Sequence, residues 1–146
     1  MSRVKYFIIL GIVIAVTAGI GIWWAFTKKF ADTSKEKSVY TVNALDLIKE
    51  FQKNDSIANI KYAEKIMTVT GMVTEIETAD STVNIKLGDT VSGSYAIFAF
   101  QQSNLSDAKT IKEGDSVAIK GSCSGGAYSQ ILEAEFITFK RCALNK

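Results

Sequence analysis

The 146-residue chain has no histidine and no proline, only two cysteines, and only two arginines, Arg3 and Arg141. Without histidine no Ser-His or Cys-His pair exists, so nucleophilic catalysis of that kind has no base. The commonest general base and the commonest metal ligand disappear together. Two cysteines with no second Cys-x-x-C pair leave a zinc site nothing to stand on. A single arginine after residue 3 removes the usual phosphate fork. No Gly-Lys-Ser/Thr closes the glycine-rich stretch at 121–126, so it is not a phosphate loop. Nothing in the sequence explains the missing proline. Together these absences argue for a protein that is not an enzyme and carries neither cofactor nor metal.

Charge is missing from one long stretch. Tyr6 to Thr27 is an uncharged run of 22 residues, closed by Arg3 and Lys5 before it and Lys28 and Lys29 after it. As a helix it would span roughly 30 Å, the thickness of a hydrocarbon core. A cleaved signal peptide is the competing reading, since Val16-Thr17-Ala18 resembles a cleavage site. Against it, Gly19 to Phe26 stays apolar for two further turns. Tyr6 near one end, and Trp23 and Trp24 beside Lys28 and Lys29 at the other, suit the two headgroup boundaries. The expectation is an uncleaved single-pass anchor with the bilayer as its first partner. No cysteine lies in or just after the run, which excludes a lipid-modified N-terminus. A five-residue tail with a signal-like start implies that the domain behind it faces away from the cytoplasm.

The net charge of +2 divides unevenly at this boundary. All 15 acidic residues follow Lys29, against 13 of the 17 basic ones, so residues 30–146 carry −2. The basic character belongs to the anchor.

Residues 1–29 thus form tail and anchor, 30–39 a polar linker of mixed charge, and 40–146 one compact domain. Val42, Leu45, Ile48 and Phe51 recur every three residues and predict an amphipathic helix, with Thr41 or Asn43 as cap. Weaker helical spacing continues from Ile57 to Tyr62, as one kinked or two short helices. From Ile66 the period turns to β, with Gly71 marking a bulge or sharp coil in a long strand. Val83 to Leu87 and Ser94 to Gln102 supply two more strands, and Asp107 to Lys112 a short helix. Ser116 to Gly121 and Tyr128 to Lys140 complete the set, with a reversal at 121–126. The fold class is mainly β: a five-stranded barrel preceded by an amphipathic helix, in the order of the oligonucleotide/oligosaccharide-binding (OB) fold.

Asn54, Ala58, Lys61-Tyr62, Lys65, Val69-Thr70-Gly71, Val73, Gly114-Asp115, Val117 and Lys120 to Gly125 resemble the tRNA_anti-like family of bacterial OB-fold proteins. The resemblance spans roughly residues 42–138 and implies an exported or membrane-attached protein, here one in the bacterial cytoplasmic (inner) membrane. It also implies a cysteine near Ala134 or Glu135, where this chain has none. Cys123 and Cys142 therefore stand either as a disulfide closing a loop of about 20 residues, worth roughly 3 kcal/mol, or as two separate thiols.

Nucleic-acid binding needs a basic groove with aromatic platforms. Tyr95, Phe98, Phe100 and Tyr128 offer rings and Lys61, Lys86 and Lys120 charge. A domain at −2 is unsuited to such a ligand, and Phe98 and Phe100 share the face of a strand that fills a barrel. Glu75/Glu77 and Glu133/Glu135 are carboxylate pairs on single strand faces, expected to be solvated. The favoured reading is a non-catalytic binding module for a protein, peptide or glycan, with Lys86, Tyr95 and Tyr128 as ligand-binding residues. The alternative is an assembly subunit associating through Gly11, Ala15, Ala18 and Gly19 of its transmembrane helix.

Overall fold

The computed structural model describes residues 3–27 and 32–146. The chain divides into two units, residues 1–31 and 32–146. In the first, Arg3–Thr27 forms a single helix (α1), long and apolar enough to cross a membrane, with no residue buried. Its threonine hydroxyls are satisfied within the helix: Thr17 Oγ1 donates to the Val13 carbonyl at 2.9 Å and Thr27 Oγ1 to that of Trp23 at 2.7 Å. Internal pairing of this kind is what a medium without water requires. Tyr6, Trp23 and Trp24 are exposed on α1, while Lys28 and Lys29 lie outside the described residues.

The second unit begins earlier than the sequence suggests. Residues 32–38, expected as a linker, pack as part of the domain. Asp32 caps a 3-10 turn at Thr33–Lys35, and Thr33 is buried. Lys120 Nζ donates to the carbonyls of Ser34 at 3.3 Å and Glu36 at 2.9 Å, and the Ser38 and Thr68 hydroxyls meet at 2.6 Å. Backbone carbonyls received by a lysine leave no trace in a hydropathy pattern.

Tyr40–Asn43 follows as a short strand (β1), then Ala44–Lys53 (α2) and Asp55–Tyr62 (α3). The expected helix therefore starts two residues late, because Val42 is taken into β1. Asn43 is the cap, its Oδ1 accepting from the Leu45 N–H at 2.9 Å. The buried face of α2 is accordingly Ala44, Leu47, Ile48 and Phe51, and Leu45 is exposed. Asn54 separates the two helices, its Oδ1 accepting from the Ile57 N–H at 3.0 Å.

Strands β2 (Ile66–Ala79), β3 (Thr82–Gly88) and β4 (Tyr95–Phe100) precede a short helix, α4 (Leu105–Ala108). Strands β5 (Ser116–Ser129) and β6 (Ala134–Leu144) complete the chain. The sheet runs β1-β2-β3-β4-β6-β5, and pairing of β2 with β5 closes β2 to β6 into a five-stranded barrel. Strand β1 is a sixth, added parallel to β2. Helix α4 precedes the predicted 107–112 by two residues and is a single turn.

The largest correction falls on residues 121–126, which form no reversal but lie within β5, interrupted by register shifts between Lys120 and Ser122 and between Cys123 and Gly125. The chain turns instead between Ser129 and Ala134. The core fills the barrel with Val69, Ile85, Leu87, Phe98, Ile119, Ile137 and Phe139, none more than 1% exposed. The Phe98 and Phe139 rings stack at 4.6 Å between centroids. Each such side chain contributes about 1.5–3 kcal/mol by burial, and α2 adds Phe51 to the same core.

Candidate binding face

Alternation along β3 and β4 sends Val83, Ile85, Leu87, Ala96, Phe98 and Phe100 inward, which leaves Asn84, Lys86, Tyr95 and Ile97 facing out. Opposite Lys86 in the ladders stand Glu75 on β2 and Ile97 on β4. Lys86 Nζ lies 3.0 Å from Glu75 Oε2, 2.6 Å from Glu77 Oε1 and 5.0 Å from the Tyr95 ring centroid. Its side chain is 15% exposed, against 54% and 46% for the two glutamates. The register shift between Val73 and Glu75 brings both carboxylates within reach of one ammonium.

The electrostatics follow from that geometry. The Glu77 carboxylate foremost raises the Lys86 ammonium above its ordinary value, and Lys86 in turn holds Glu77 below the usual carboxylate range. The lysine is thus held in its cationic form and is already engaged. One carboxylate equivalent of the pair remains over.

Tyr128 is exposed but does not join this face. Tyr95 aligns with Phe136 on β6, and Phe136 with Ala127 on β5, so those three side chains share a side. Tyr128 and its partner Glu135, one residue along, point to the other. Phe136 is the half-buried aromatic that sequence reasoning missed here. Its signal was present, because it alternates with Ile137 and Phe139, but assigning its neighbour required the true position of the β5–β6 turn.

The remaining candidates are scattered. Lys61 lies on α3 and Lys120 binds the backbone of residues 34 and 36, so neither extends a cationic groove from Lys86. Phe98 and Phe100 are buried. Glu135, expected on a solvated face, is instead 3% exposed, and its Oε1 has no hydrogen-bond partner. Burial, and then the charge of Asp55, push its carboxyl above the ordinary value. Cys123 and Cys142 are buried free thiols. Cys123 pairs in the ladder with Phe139, and Cys142 lies against Gly121. Burial raises both thiols, Cys142 the further, which leaves little thiolate for chemistry. Among the described residues no group of three His, Cys, Asp or Glu side chains could hold a metal ion.

A closed five-stranded barrel with its helix between the third and fourth barrel strands is an OB fold. The chain belongs to the tRNA_anti-like family, which matches residues 1–134. No curated protein matches it. Among solved structures it resembles a "putative nucleic acid-binding lipoprotein" from Klebsiella pneumoniae, with TM-score 0.57 and 17% identity over 72% of this chain and 91% of that one. It also matches the aspartyl-tRNA synthetase of Entamoeba histolytica, with TM-score 0.41 and 16% identity over 59% of this chain and 19% of the synthetase. At 17% identity the likeness to the Klebsiella protein is one of fold.

Proposed function

We propose that this protein is a membrane-anchored, non-catalytic OB-fold module that binds a protein, peptide or glycan through the outer face of β3 and β4, at Lys86 and Tyr95. The observation that carries this reading is the clamping of Lys86 between Glu75 and Glu77. A phosphate backbone is held by cations that exchange counterions for it, and here the one central cation faces two carboxylates. Base stacking needs an open ring face, and the ammonium of Lys86 stands over Tyr95. The Klebsiella neighbour is described as binding nucleic acid, but this domain's −2 charge and engaged lysine favour a different ligand. The apolar α1 and its flanking basic residues support a single-pass anchor in a bacterial inner membrane, with the domain outside the cytoplasm.

Site-specific photocrosslinking tests this. The full chain, carrying a benzophenone amino acid at position 95 or 128, is irradiated in intact membranes. Position 95 is expected to give a discrete nuclease-resistant adduct and position 128 none. Nuclease-sensitive adducts at 95, or adducts at 128 alone, would overturn the reading.

A further inference from the structure

Beside this face the surface opens into a cleft of about 430 Å³. The start of α2, the middle of β2 and the end of β3 enclose it. Ala44, Gly71, Leu87 and Gly88 line it with carbon, and Leu45 and Met72 give it aliphatic walls that are 44% and 63% exposed. A Cβ on Gly88 would lie 3.0 Å from Thr74 Oγ1, and one on Gly71 3.0 Å from the Ala44 Cβ, so both glycines keep the backbone low there. A smaller lobe of about 140 Å³ adjoins it, bounded by Glu75, Lys86 and Tyr95. The two share Thr74, Gly88, Asp89 and Thr90. The cleft therefore continues onto the β3–β4 face.

The charge around this continuous groove is mainly negative. Glu75 and Asp89 line it and Glu77 stands beside them on Lys86, three carboxylates against one lining cation. Asp89 is fixed at the junction of the lobes, accepting from the Val91 N–H at 3.0 Å and the Ser92 hydroxyl at 2.8 Å. Those hydrogen bonds, that of Ser92 foremost, hold its carboxyl below the usual range, and Lys49 on α2 offsets part of its charge. An anionic occupant is repelled from such a groove, and the Tyr95 ring on which a sugar would stack already has the Lys86 ammonium over it.

We infer that the occupant is an extended peptide segment of a partner protein, which seats an apolar side chain between Leu45 and Met72 and a neighbouring lysine or arginine among Glu75, Glu77 and Asp89. This rests on the binding-module reading above and names its ligand. A volume of this order lies within the range of pockets that hold specific small ligands or a few side chains. Apolar contact supplies the affinity, and charge complementarity fixes which segment binds and in which direction.

The test uses the full chain in phosphatidylcholine nanodiscs, whose neutral surface does not itself collect basic peptides. Fluorescein-labelled octapeptides of alternating Leu and Lys, Leu and Glu, or Ser and Lys are titrated, with anisotropy as the readout. The Leu–Lys peptide is expected to saturate and the other two to fail. Glu75→Gln with Glu77→Gln, and separately Leu45→Ser with Met72→Ser, should each weaken it by about tenfold or more, at exposed sites that leave the fold intact by circular dichroism. Equal binding of the Leu–Glu peptide would overturn the charge argument. Equal binding of the Ser–Lys peptide would overturn the apolar cleft. If no peptide binds while position 95 still crosslinks to a protein, the inference fails and the binding module stands.

Discussion

Two places in this domain use the same three residue types in opposite structural arrangements. On α2 and α3, Lys61 Nζ lies 3.1 Å from Glu50 Oε2 and 4.6 Å from the Tyr62 ring centroid. On the barrel, Lys86 contacts Glu75 and Glu77 and stands 5.0 Å from the Tyr95 ring centroid. What differs is which member is buried. Tyr62 is 1% exposed, meets Tyr40 edge-on at 5.2 Å and Phe51 at 6.3 Å, and its hydroxyl donates to Glu50 at 2.9 Å. Its ring ties α2 to α3, and the ions decorate it. Around Lys86 the lysine is the covered member, while the carboxylates are about half exposed and the tyrosine is half-buried. The same residue types tie helices together where the ring is in the core and form a surface cluster where it is not.

Truncating the two rings is the strongest way to break this contrast. Tyr62→Ala removes a buried aromatic and is expected to cost about 3–5 kcal/mol, read as a lower melting temperature of the full chain in detergent by circular dichroism. Tyr95→Ala should change stability by about 0.5 kcal/mol or less while abolishing the position's contribution to binding. Comparable destabilisation by both would erase the distinction. Both tryptophans lie in α1, so tryptophan fluorescence cannot report on the domain and the β-sheet signal must.

A finer cut is Tyr62→Phe, which keeps the ring and deletes the hydroxyl that reaches Glu50. About 1 kcal/mol is the expected loss. The alkaline limb should change with it. The Tyr62 hydroxyl and then the Glu50 carboxylate push the Lys61 ammonium up to about 12, and burial raises Tyr62 itself above 10.0. Both groups hold their protons longer folded than unfolded, so the stability they contribute is full below about pH 10 and lost as pH rises toward 12. Lys61→Met with Tyr62→Phe should flatten that decline. A limb of unchanged slope in the double variant would show that the cluster is not coupled to folding.

Glu135 sharpens the comparison by lacking the cation altogether. Lys86 lowers Glu77, whereas burial raises Glu135. The signs of their linkage are opposite. Glu77 contributes stability above the ordinary 4.5 that is lost as pH falls through its lowered value, and its exposure makes that contribution small. Ionised Glu135 costs stability, which is recovered as pH falls from its raised value toward 4.5. Glu135→Gln is therefore expected to raise the melting temperature at neutral pH and to remove the rise otherwise seen on mild acidification. An unchanged acid profile would mean that the carboxyl finds water in solution.

Much of this was legible beforehand, and the losses have physical causes. The apolar run, the β-branched stretches and the helix between strands gave the OB order. The phase of α2 was misread because β1 claims Val42, a tertiary pairing that no local period reveals. The β5 turn was misplaced because its glycines serve close approach more than reversal. A Cβ on Gly121 would lie 2.6 Å from Cys142 Sγ, and one on Gly126 2.7 Å from the Phe51 ring, while Gly125 takes φ of +105°. Glycine required by packing and glycine required by a turn look the same in sequence. That ambiguity placed Tyr128 on the wrong face and hid Phe136. That Lys86 and Tyr95 share one outer face was legible because simple alternation governs β3 and β4.

The smallest effect on stability separates the roles of the two lysines. Both lysines pair with carboxylates that are about half exposed, and such pairs are worth little, so Lys86→Met and Lys61→Met should both be nearly silent in a melt. Their consequences for binding should diverge. Without Lys86 the two glutamates stand unneutralised beside the cleft, and the Leu–Lys peptide should bind about two- to threefold more tightly, with a steeper salt dependence. Without Lys61, on the other cluster, neither quantity should move. If removing Lys86 weakens the peptide instead, the ammonium is itself a ligand contact and the groove reads an anionic group. If removing Lys61 has an equal effect, the response is to net charge, and the face formed by Glu75, Lys86 and Tyr95 has no special claim on the partner.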